Sequence, residues 1–222
     1  MLNSPMPSSI TRHPAFQHMP RHRHADGYVA LVLAGGYVEA GDRGRLRVGA
    51  GHAVFHAAHE SHQNEFLGVG AQVLNLPITG PALVESMGIV ADPDAIVRVA
   101  ERNPSKAAEL LRQTFRPAPT RLNDWPDLLA EALAHDPDLA LAEWADAVGI
   151  APQSISRGFR RAYGISPKRY RLEQRALLAL RRLPHWQGSI ATLAAETGFA
   201  DQAHLTRAIV ALTGHPPSRL PG

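Results

Sequence analysis

The chain has 222 residues, of which 45% are hydrophobic and 19% charged, so it can bury a sizeable core and form two domains. This composition excludes a charge-rich disordered chain, and the absence of any run of about 18 apolar residues excludes a membrane-spanning helix. There is no cysteine, which excludes disulfide bonds, thiolate metal ligands and a cysteine nucleophile. A reducing cytoplasm is the expected location.

Positive charge is concentrated in the second half of the chain and histidine in the first. From Leu139 to the end, 11 Lys or Arg residues outnumber 5 Asp or Glu residues, an excess of +6, whereas the rest of the chain has a net charge of −3. Eight of the 12 histidines lie within the first 62 residues. The pattern predicts one domain that binds a polyanion and another that contains a cluster of histidine side chains.

Residues 12–77 combine glycines and β-branched residues in short apolar runs. These runs are separated by glycine-containing turns, such as the sequence GDRGR at residues 41–45. The pattern predicts a small antiparallel β-barrel, which we place at about residues 10–80.

Residues 81–121 are predicted to connect this barrel to the rest of the chain. Between Asp92 and Arg116 the apolar residues recur three and four apart, which predicts two amphipathic helices with Asp or Ser as caps. Pro117 and Pro119 cannot continue a helix and indicate a linker. The apolar stripe of the helices packs either on the barrel or on a second copy of the chain, and it comprises Ile96, Val97, Ala100, Leu110 and Leu111.

Residues 122–222 are helical in pattern and contain the same unit twice, at about 139–163 and 189–213. The first helix and its glycine recur 49 residues later, and the second helix recurs 50 residues later. Matched pairs include Gly149 with Gly198, Arg157 with Arg207 and Pro167 with Pro217. Each unit has the pattern of a helix-turn-helix, in which a glycine permits the sharp turn.

The second helix of each unit, predicted at Pro152 to Tyr163 and at Gln202 to Leu212, is the one free to enter a DNA groove. In the major groove Arg pairs with guanine and Gln with adenine. The candidate base-reading residues near the amino ends of these helices are Gln153, Ser156, Arg157, Gln202, His204 and Arg207. The candidate phosphate contacts, which give affinity and register, are Arg160, Arg161, Lys168 and Arg169.

From about Trp125 to Leu220 the chain resembles the DNA-binding domain of AraC/XylS-type transcription regulators. The resemblance lies in the double unit, the long basic connecting helix and the stretches SRGFRRAYGISPKRYR and ATLAAETGFADQAHLTRA. It implies a bacterial regulator of transcription whose partner is double-stranded DNA, with two recognition helices in successive major grooves about 34 Å apart. Members of the family usually carry aromatic and basic residues after the position of Arg207, whereas this chain has Ala208 to Leu212. We therefore expect the second unit to bind DNA phosphates more weakly than the first.

The run from His22 to Asn64 resembles a small cupin barrel, the usual sensor half of these regulators. His22 and His24 stand at the His-x-His place, and His62 follows Gly51 by eleven residues, as in the second cupin motif. The resemblance implies a small-molecule effector, and it leaves open a divalent metal bound by His22, His24 and His62.

The glutamate ligand of metal cupins is missing, because its place falls near Tyr28 or Val29. His56 or Asp26 is a possible supplement to the three histidines. Candidate residues for a ligand pocket are Tyr28, Val32, Phe55 and His56.

The sequence thus predicts an α+β chain: a small amino-terminal antiparallel cupin-like β-barrel, then an all-α domain with two helix-turn-helix units joined by a long helix. The predicted function is a sequence-specific DNA-binding transcription regulator, a homodimer in which the barrel senses a small ligand or only mediates dimerisation. No catalytic residues and no enzymatic reaction are predicted. The alternative is a metal-dependent cupin enzyme or metal sensor that uses His22, His24 and His62.

Overall fold

A computed structural model describes residues 2–3, 9–78, 85–118, 120–136 and 138–220. The chain forms two compact units, Asn3–Leu122 and Asn123–Gly222, termed here the sheet domain and the helical domain. The predicted fold class is confirmed: an antiparallel sheet, consistent with a cupin-like barrel, precedes an all-α domain with two helix-turn-helix units.

Within the described residues the sheet has nine strands, in the order β1-β3-β7-β4-β6-β8-β9, with β2 also paired to β7 and β5 to β4. The two long strands β4 and β7 run antiparallel, from Tyr28 opposite Pro77 to Gly41 opposite His62, and β2, β3, β5 and β6 each pair directly with one of them. This path of paired strands does not close on itself among these nine. The strands are β1 (Leu2–Asn3), β2 (Ser9–His13), β3 (His18–His24), β4 (Tyr28–Gly41), β5 (Gly44–Gly49), β6 (His52–His56), β7 (Ser61–Pro77), β8 (Met87–Val90) and β9 (Phe115–Pro117).

Each face of the sheet contributes a buried apolar cluster, and successive side chains of a strand alternate between the two faces. Along the first half of β4, Tyr28, Ala30 and Val32 belong to one buried cluster, while Val29 and Leu31 belong to another. The first face surrounds a cavity and the second packs against two helices.

The two helices of the sheet domain are α1 (Pro93–Ala100) and α2 (Pro104–Thr114). The Asp92 side chain accepts a hydrogen bond of 2.9 Å from the backbone N–H of Ala95, and Asn103, rather than a serine, caps α2 in the same way. The predicted apolar stripe packs on the sheet, with Ile96 and Leu111 fully buried.

The proline-containing segment after α2 lies along the sheet. Strand β9 pairs with β8, and beyond it the backbone N–H of Leu122 donates to the carbonyl of Arg45 over 2.9 Å. Pro119 lies outside the described residues. The predicted linker is therefore, where it is described, extended backbone held to the sheet.

The helical domain contains six helices among its described residues, and the predicted repeat is visible as α4–α5 and α7–α8. The turn glycines Gly149 and Gly198 have φ of 70° and 76°, and Gly164 and Gly214, which end the second helices, have φ of 75° and 79°. Only glycine adopts this conformation without strain. The helices are α3 (Trp125–His135), α4 (Leu141–Ala147), α5 (Pro152–Tyr163), α6 (Pro167–Arg182), α7 (Ile190–Glu196) and α8 (Gln202–Thr213), with 3-10 turns at Leu183–His185 and Pro217–Arg219.

Each unit packs its first helix closely through a small residue. Ala145 on α4 and Ala194 on α7, which occupy matching positions of the repeat, are fully buried. The first unit is also held by α3, because the Tyr163 hydroxyl donates a 2.8 Å hydrogen bond to the buried Asp127 carboxylate. No helix in the described part of the chain has the length and apolar content needed to cross a bilayer.

Candidate nucleic-acid interface and candidate ligand cavity

Helix α5 has one buried face and one open face. Ile155 and Phe159 are buried in the domain core, whereas Gln153, Ser156 and Arg157 are exposed. Positions separated by three and four residues lie on the same side of a helix, so these three polar side chains form one continuous surface. The structure therefore brings together the three base-reading residues that the sequence predicts on this helix.

Three of the four predicted phosphate contacts are exposed, and two of them, Arg160 and Arg161, lie three and four residues beyond Arg157 on the same side of α5. Arg160 and Arg161 in the last part of α5, and Lys168 at the start of α6, are exposed. Within the part of the chain that the structure describes, no carboxylate forms an ion pair with any of them. Their charge is therefore available to an outside polyanion.

Arg169 is different from the other predicted phosphate contacts. Its Nε donates a 2.9 Å hydrogen bond to Oε1 of Glu173, whose side chain is buried. A buried carboxylate requires a partner, so this guanidinium is engaged within the domain.

Further arginines of α6 also hold the fold together. Arg175 Nη1 donates to the carbonyl of Gly198 at 2.6 Å, and Arg171 donates to the carbonyl of Leu139. These bonds fasten the segments beside the two helix-turn-helix units. Part of the positive charge that the sequence analysis attributes to polyanion binding therefore forms hydrogen bonds within the domain instead.

Helix α8 presents a different open face. Gln202 and Arg207 are exposed as predicted, but His204 is half-buried, with its ring centroid 5.1 Å from that of Phe199. Its backbone N–H donates a 2.6 Å hydrogen bond to Asp201, which caps the helix.

The repeat itself identifies which positions of α8 correspond to the open face of α5. At the offset of 50 residues, Thr206 matches Ser156, and His204 matches the half-buried Ser154. Thr206 is a candidate base contact that sequence reasoning missed, although the alignment of the two units already contained the signal. Val210 and Ala211, both exposed, replace Arg160 and Arg161.

The sheet domain contains a cavity of about 180 Å³ on the first face of the sheet, termed here the histidine cavity. Five imidazoles and one carboxylate line it together with aromatic, apolar and amide groups. The lining residues are Thr11, His13, Met19, His22, His24, Tyr28, Ala30, Tyr37, Glu39, His56, His62, Asn64, Phe66, Val73 and Asn75.

The three predicted metal ligands meet at this cavity. His22 and His24 come from β3 and His62 from β7, and one ligand atom of each lies within 4.8 Å of the other two. The ring centroids of His22 and His62 are 4.4 Å apart. Of the predicted supplements, His56 lies next to His62 with a centroid distance of 4.4 Å, whereas Asp26 is exposed and outside the cluster.

A buried carboxylate that sequence reasoning missed, Glu39, also lines the cavity. Its Oε2 lies 3.6 Å from Nε2 of His56. Simple alternation from Tyr28 places Glu39 on the opposite face, but the register of β4 against β7 shifts between Val32 and Tyr37, where Gly35 has φ of 70°. Beyond this bulge the odd-numbered side chains of β4, including Glu39, face the cavity. In the sequence, the Gly35–Gly36 pair was the feature that could have indicated a bulge in this strand.

Burial controls the charge of this group of side chains. Loss of hydration raises the pKa of Glu39 to about 8 and lowers the pKa of His56 to about 3. Desolvation also holds the pKa of His62 well below its ordinary value. His56 and His62 are therefore neutral near pH 7, the form in which their ring nitrogens bind metals or accept hydrogen bonds.

The predicted pocket residues divide between the two faces of the sheet. Tyr28 and His56 line the cavity, with their rings stacked at a centroid distance of 4.6 Å, and Val32 lies in the surrounding core cluster. Phe55 points to the opposite face and packs edge-on against Phe115 at 5.2 Å. Neighbours in a strand cannot share a face, which separates Phe55 from His56.

One protein-family model matches part of this sequence. The family model described as a helix-turn-helix domain matches residues 144–220. The sequence has no match among curated proteins.

Several solved structures show a general likeness. The C-terminal domain of AraT, a response regulator from Geobacillus stearothermophilus, is 22% identical, with 45% of this chain and 84% of that one covered and a TM-score of 0.40. Unsaturated fatty acid-bound ToxT from Vibrio cholerae is 9% identical, covers 94% and 92%, and has a TM-score of 0.43. A probable AraC family transcriptional regulator from Rhodopseudomonas palustris is 21% identical, covers 40% and 87%, and has a TM-score of 0.38.

Two helix-turn-helix units with polar, exposed recognition faces define the helical domain as a nucleic-acid-binding module. The family match covers the same region: residues 144–220 match a helix-turn-helix domain model, in agreement with the resemblance inferred from the repeated unit. The match supports a DNA-binding transcription regulator and points to a regulator rather than an enzyme.

Proposed function

We propose that this protein is a sequence-specific transcription regulator that reads double-stranded DNA with α5 and α8. The observation that carries the proposal is the open face of α5, where Gln153, Ser156 and Arg157 lie on one side of a helix whose other side is buried. Exposed planar donors and acceptors on a protruding helix suit the base edges of the major groove.

The two units contribute unequally in this proposal. In the first unit, Arg157 reads bases while Arg160, Arg161 and Lys168 bind phosphates. In the second unit, Gln202 and Arg207 read bases, with His204 at the edge of the contact. Because α8 carries Val210 and Ala211 in place of two arginines, the first unit provides more of the binding energy.

Selection of bound sequences from random duplex DNA by the full chain tests this function. We expect two short half-sites whose centres lie about 10 base pairs apart, one helical turn, and an affinity that falls steeply as salt rises. A matched control is Arg102→Gln, which removes an exposed charge from the sheet domain and leaves the selected sequence unchanged. Failure to enrich any sequence, or failure to bind duplexes even in dilute buffer, contradicts the proposal.

The sheet domain is proposed to be a cupin-like barrel that senses a small effector in the bacterial cytoplasm and supports a homodimer. The histidine cavity supports sensing, because it is a concave site on the sheet and is lined by groups that hydrogen-bond or ligate. An effector that shifts the DNA-binding isotherm supports sensing, and sedimentation of the free protein measures dimerisation. A dimer whose DNA affinity responds to no effector assigns the domain to dimerisation alone.

A further inference from the structure

We propose that the histidine cavity binds one divalent transition-metal ion between Glu39, His56 and His62. This site differs from the three-histidine cluster of His22, His24 and His62 that the sequence predicts, and the two groups share only His62. The proposal deepens the sensing role of the sheet domain and rests on it only for the regulatory consequence.

The three residues stand on adjacent central strands. Glu39 lies on β4, His56 on β6 and His62 on β7, and β4 pairs directly with the other two strands. One ligand atom from each lies within 4.8 Å of the other two, and all three side chains are buried. Donors of a tetrahedral ion with bonds of about 2.1 Å are roughly 3.4 Å apart, so modest side-chain rotation completes the coordination. Paired strands hold such donors more firmly than a loop does.

One buried polar atom of each of these three residues lacks a hydrogen bond within the described part of the protein. Glu39 Oε2, His56 Nε2 and His62 Nδ1 are all inaccessible to solvent and have no hydrogen-bond partner there. His24 Nδ1 and Asn64 Oδ1, which also belong to the cavity lining, are unsatisfied as well. An unsatisfied buried polar atom costs about 1–3 kcal/mol, so this concentration in one cavity requires an explanation. A cation accepts lone pairs from the Glu39, His56 and His62 atoms at once.

A shared proton does not satisfy the same atoms. The distance of 3.6 Å between Glu39 Oε2 and His56 Nε2 exceeds that of a hydrogen bond. Since His62 Nδ1 is also without a partner, a single proton between Glu39 and His56 leaves the third atom unsatisfied.

The surroundings of His62 match those of a metal ligand. Its Nε2 lies 3.2 Å from the Tyr28 hydroxyl, which leaves Nδ1 as the coordinating nitrogen. Metal-bound histidines usually form a hydrogen bond through their second nitrogen, which fixes the ring. The Tyr28 ring also stacks on His56 and restrains a second ligand.

The donor chemistry favours this group over the three-histidine cluster. Metal binding displaces the proton of Glu39 into solvent, and the resulting carboxylate supplies a negative charge to a dication in a buried site, whereas three neutral imidazoles supply none. His22, moreover, is only half-buried, whereas all three residues of the proposed group are buried. Imidazole and carboxylate together suit Zn²⁺, Co²⁺, Ni²⁺ or Fe²⁺, and imidazole nitrogen disfavours Mg²⁺ and Ca²⁺.

Titration of the chelator-treated full chain with Co²⁺ and Zn²⁺, in the absence of DNA, tests the site. We expect one ion per chain, and at least about a tenfold loss of affinity in Glu39→Gln and in His56→Gln. His22→Gln, which changes the other cluster only, and His52→Gln, which lies outside the cavity, retain wild-type affinity. No binding by the wild type overturns the proposal, as does a loss of affinity in His22→Gln that Glu39→Gln does not share.

X-ray absorption of the zinc-loaded wild type provides a test that does not depend on the folding of a variant. Two imidazoles and a carboxylate oxygen bound to the zinc support the site, and three imidazoles without a carboxylate overturn it.

DNA affinity, measured with and without Zn²⁺ at constant ionic strength, separates this inference from the proposed function. A shift on metal loading supports a metal-sensing regulator. A loaded protein that binds DNA unchanged contradicts metal regulation but keeps both the metal site and the DNA-binding function. Absence of DNA binding in both states contradicts the proposed function while leaving the metal titration to decide the site.

Discussion

The two helix-turn-helix units share one framework but present different surfaces. Their turn and terminal glycines have nearly the same φ, and Ala145 and Ala194 are both fully buried. Their open faces differ: where α5 carries Arg160 and Arg161, α8 carries Val210 and Ala211. The packing of a helix-turn-helix restricts the buried positions, whereas nothing in the fold restricts the open face, so the surfaces are where the functions of the units diverge.

The largest expected effect is on DNA affinity when the matched arginines are removed one at a time. Arg157→Ala is expected to weaken binding by about 1–3 kcal/mol, because it removes a base contact from the unit that is expected to bind phosphates more strongly. Arg207→Ala is expected to cost less. Binding isotherms at one fixed salt concentration measure both, and a larger loss in Arg207→Ala contradicts the ranking of the two units.

The second effect is on the stability of the helical domain. It concerns a packed position at which the two units carry different residues, Gly158 in α5 and Ala208 in α8. A Cβ on Gly158 lies 2.3 Å from Cζ2 of Trp125, a contact that α3 imposes on the first unit. Gly158→Ala is therefore expected to destabilise the domain by about 1–3 kcal/mol, despite the better helix propensity of alanine. Ala208→Gly, the matched change, is expected to cost about 1 kcal/mol.

Urea unfolding of the full chain followed by tryptophan fluorescence measures these stabilities. All three tryptophans, Trp125, Trp144 and Trp186, lie in the helical domain, so the signal reports that domain alone. An increase in stability of Gly158→Ala shows that Trp125 moves aside and contradicts the packing argument.

The third effect concerns the salt dependence of binding. The double change Arg160→Gln with Arg161→Gln is expected to make the slope of log affinity against log salt shallower by about 0.9 for each phosphate that is no longer neutralised. Val210→Arg tests the converse, since it adds to α8 the charge that α5 already carries. A slope that stays unchanged in the double variant shows that these arginines do not touch phosphates.

The smallest effect concerns the start of the recognition helices. Asp201 caps α8 through its side chain, whereas Ala151 at the same position of α5 forms no side-chain cap. Asp201→Ala is expected to cost about 1 kcal/mol and Ala151→Ser to add up to a similar amount. The same urea titration measures both changes, and equal midpoints for Asp201→Ala and the wild type refute the capping role.

The amino-acid pattern predicted the framework of the helical domain. Helix boundaries, turn glycines and the open face of α5 follow from local periodicity and from a repeat that prescribes the same packing twice. The pattern could not show that Arg169, Arg171 and Arg175 are engaged within the domain, because their partners lie on other elements or are buried, and a charge count does not distinguish internal from external partners.

Sequence by itself determined the fold class, the duplicated unit and the meeting of His22, His24 and His62, since each depends on local spacing or on motif positions. Only the tertiary structure decided that Glu39 joins His56 in the cavity. A bulge of one residue in β4 reverses which side chains face inward, and the pairing of β4 with β7, a strand distant in the chain, fixes that bulge.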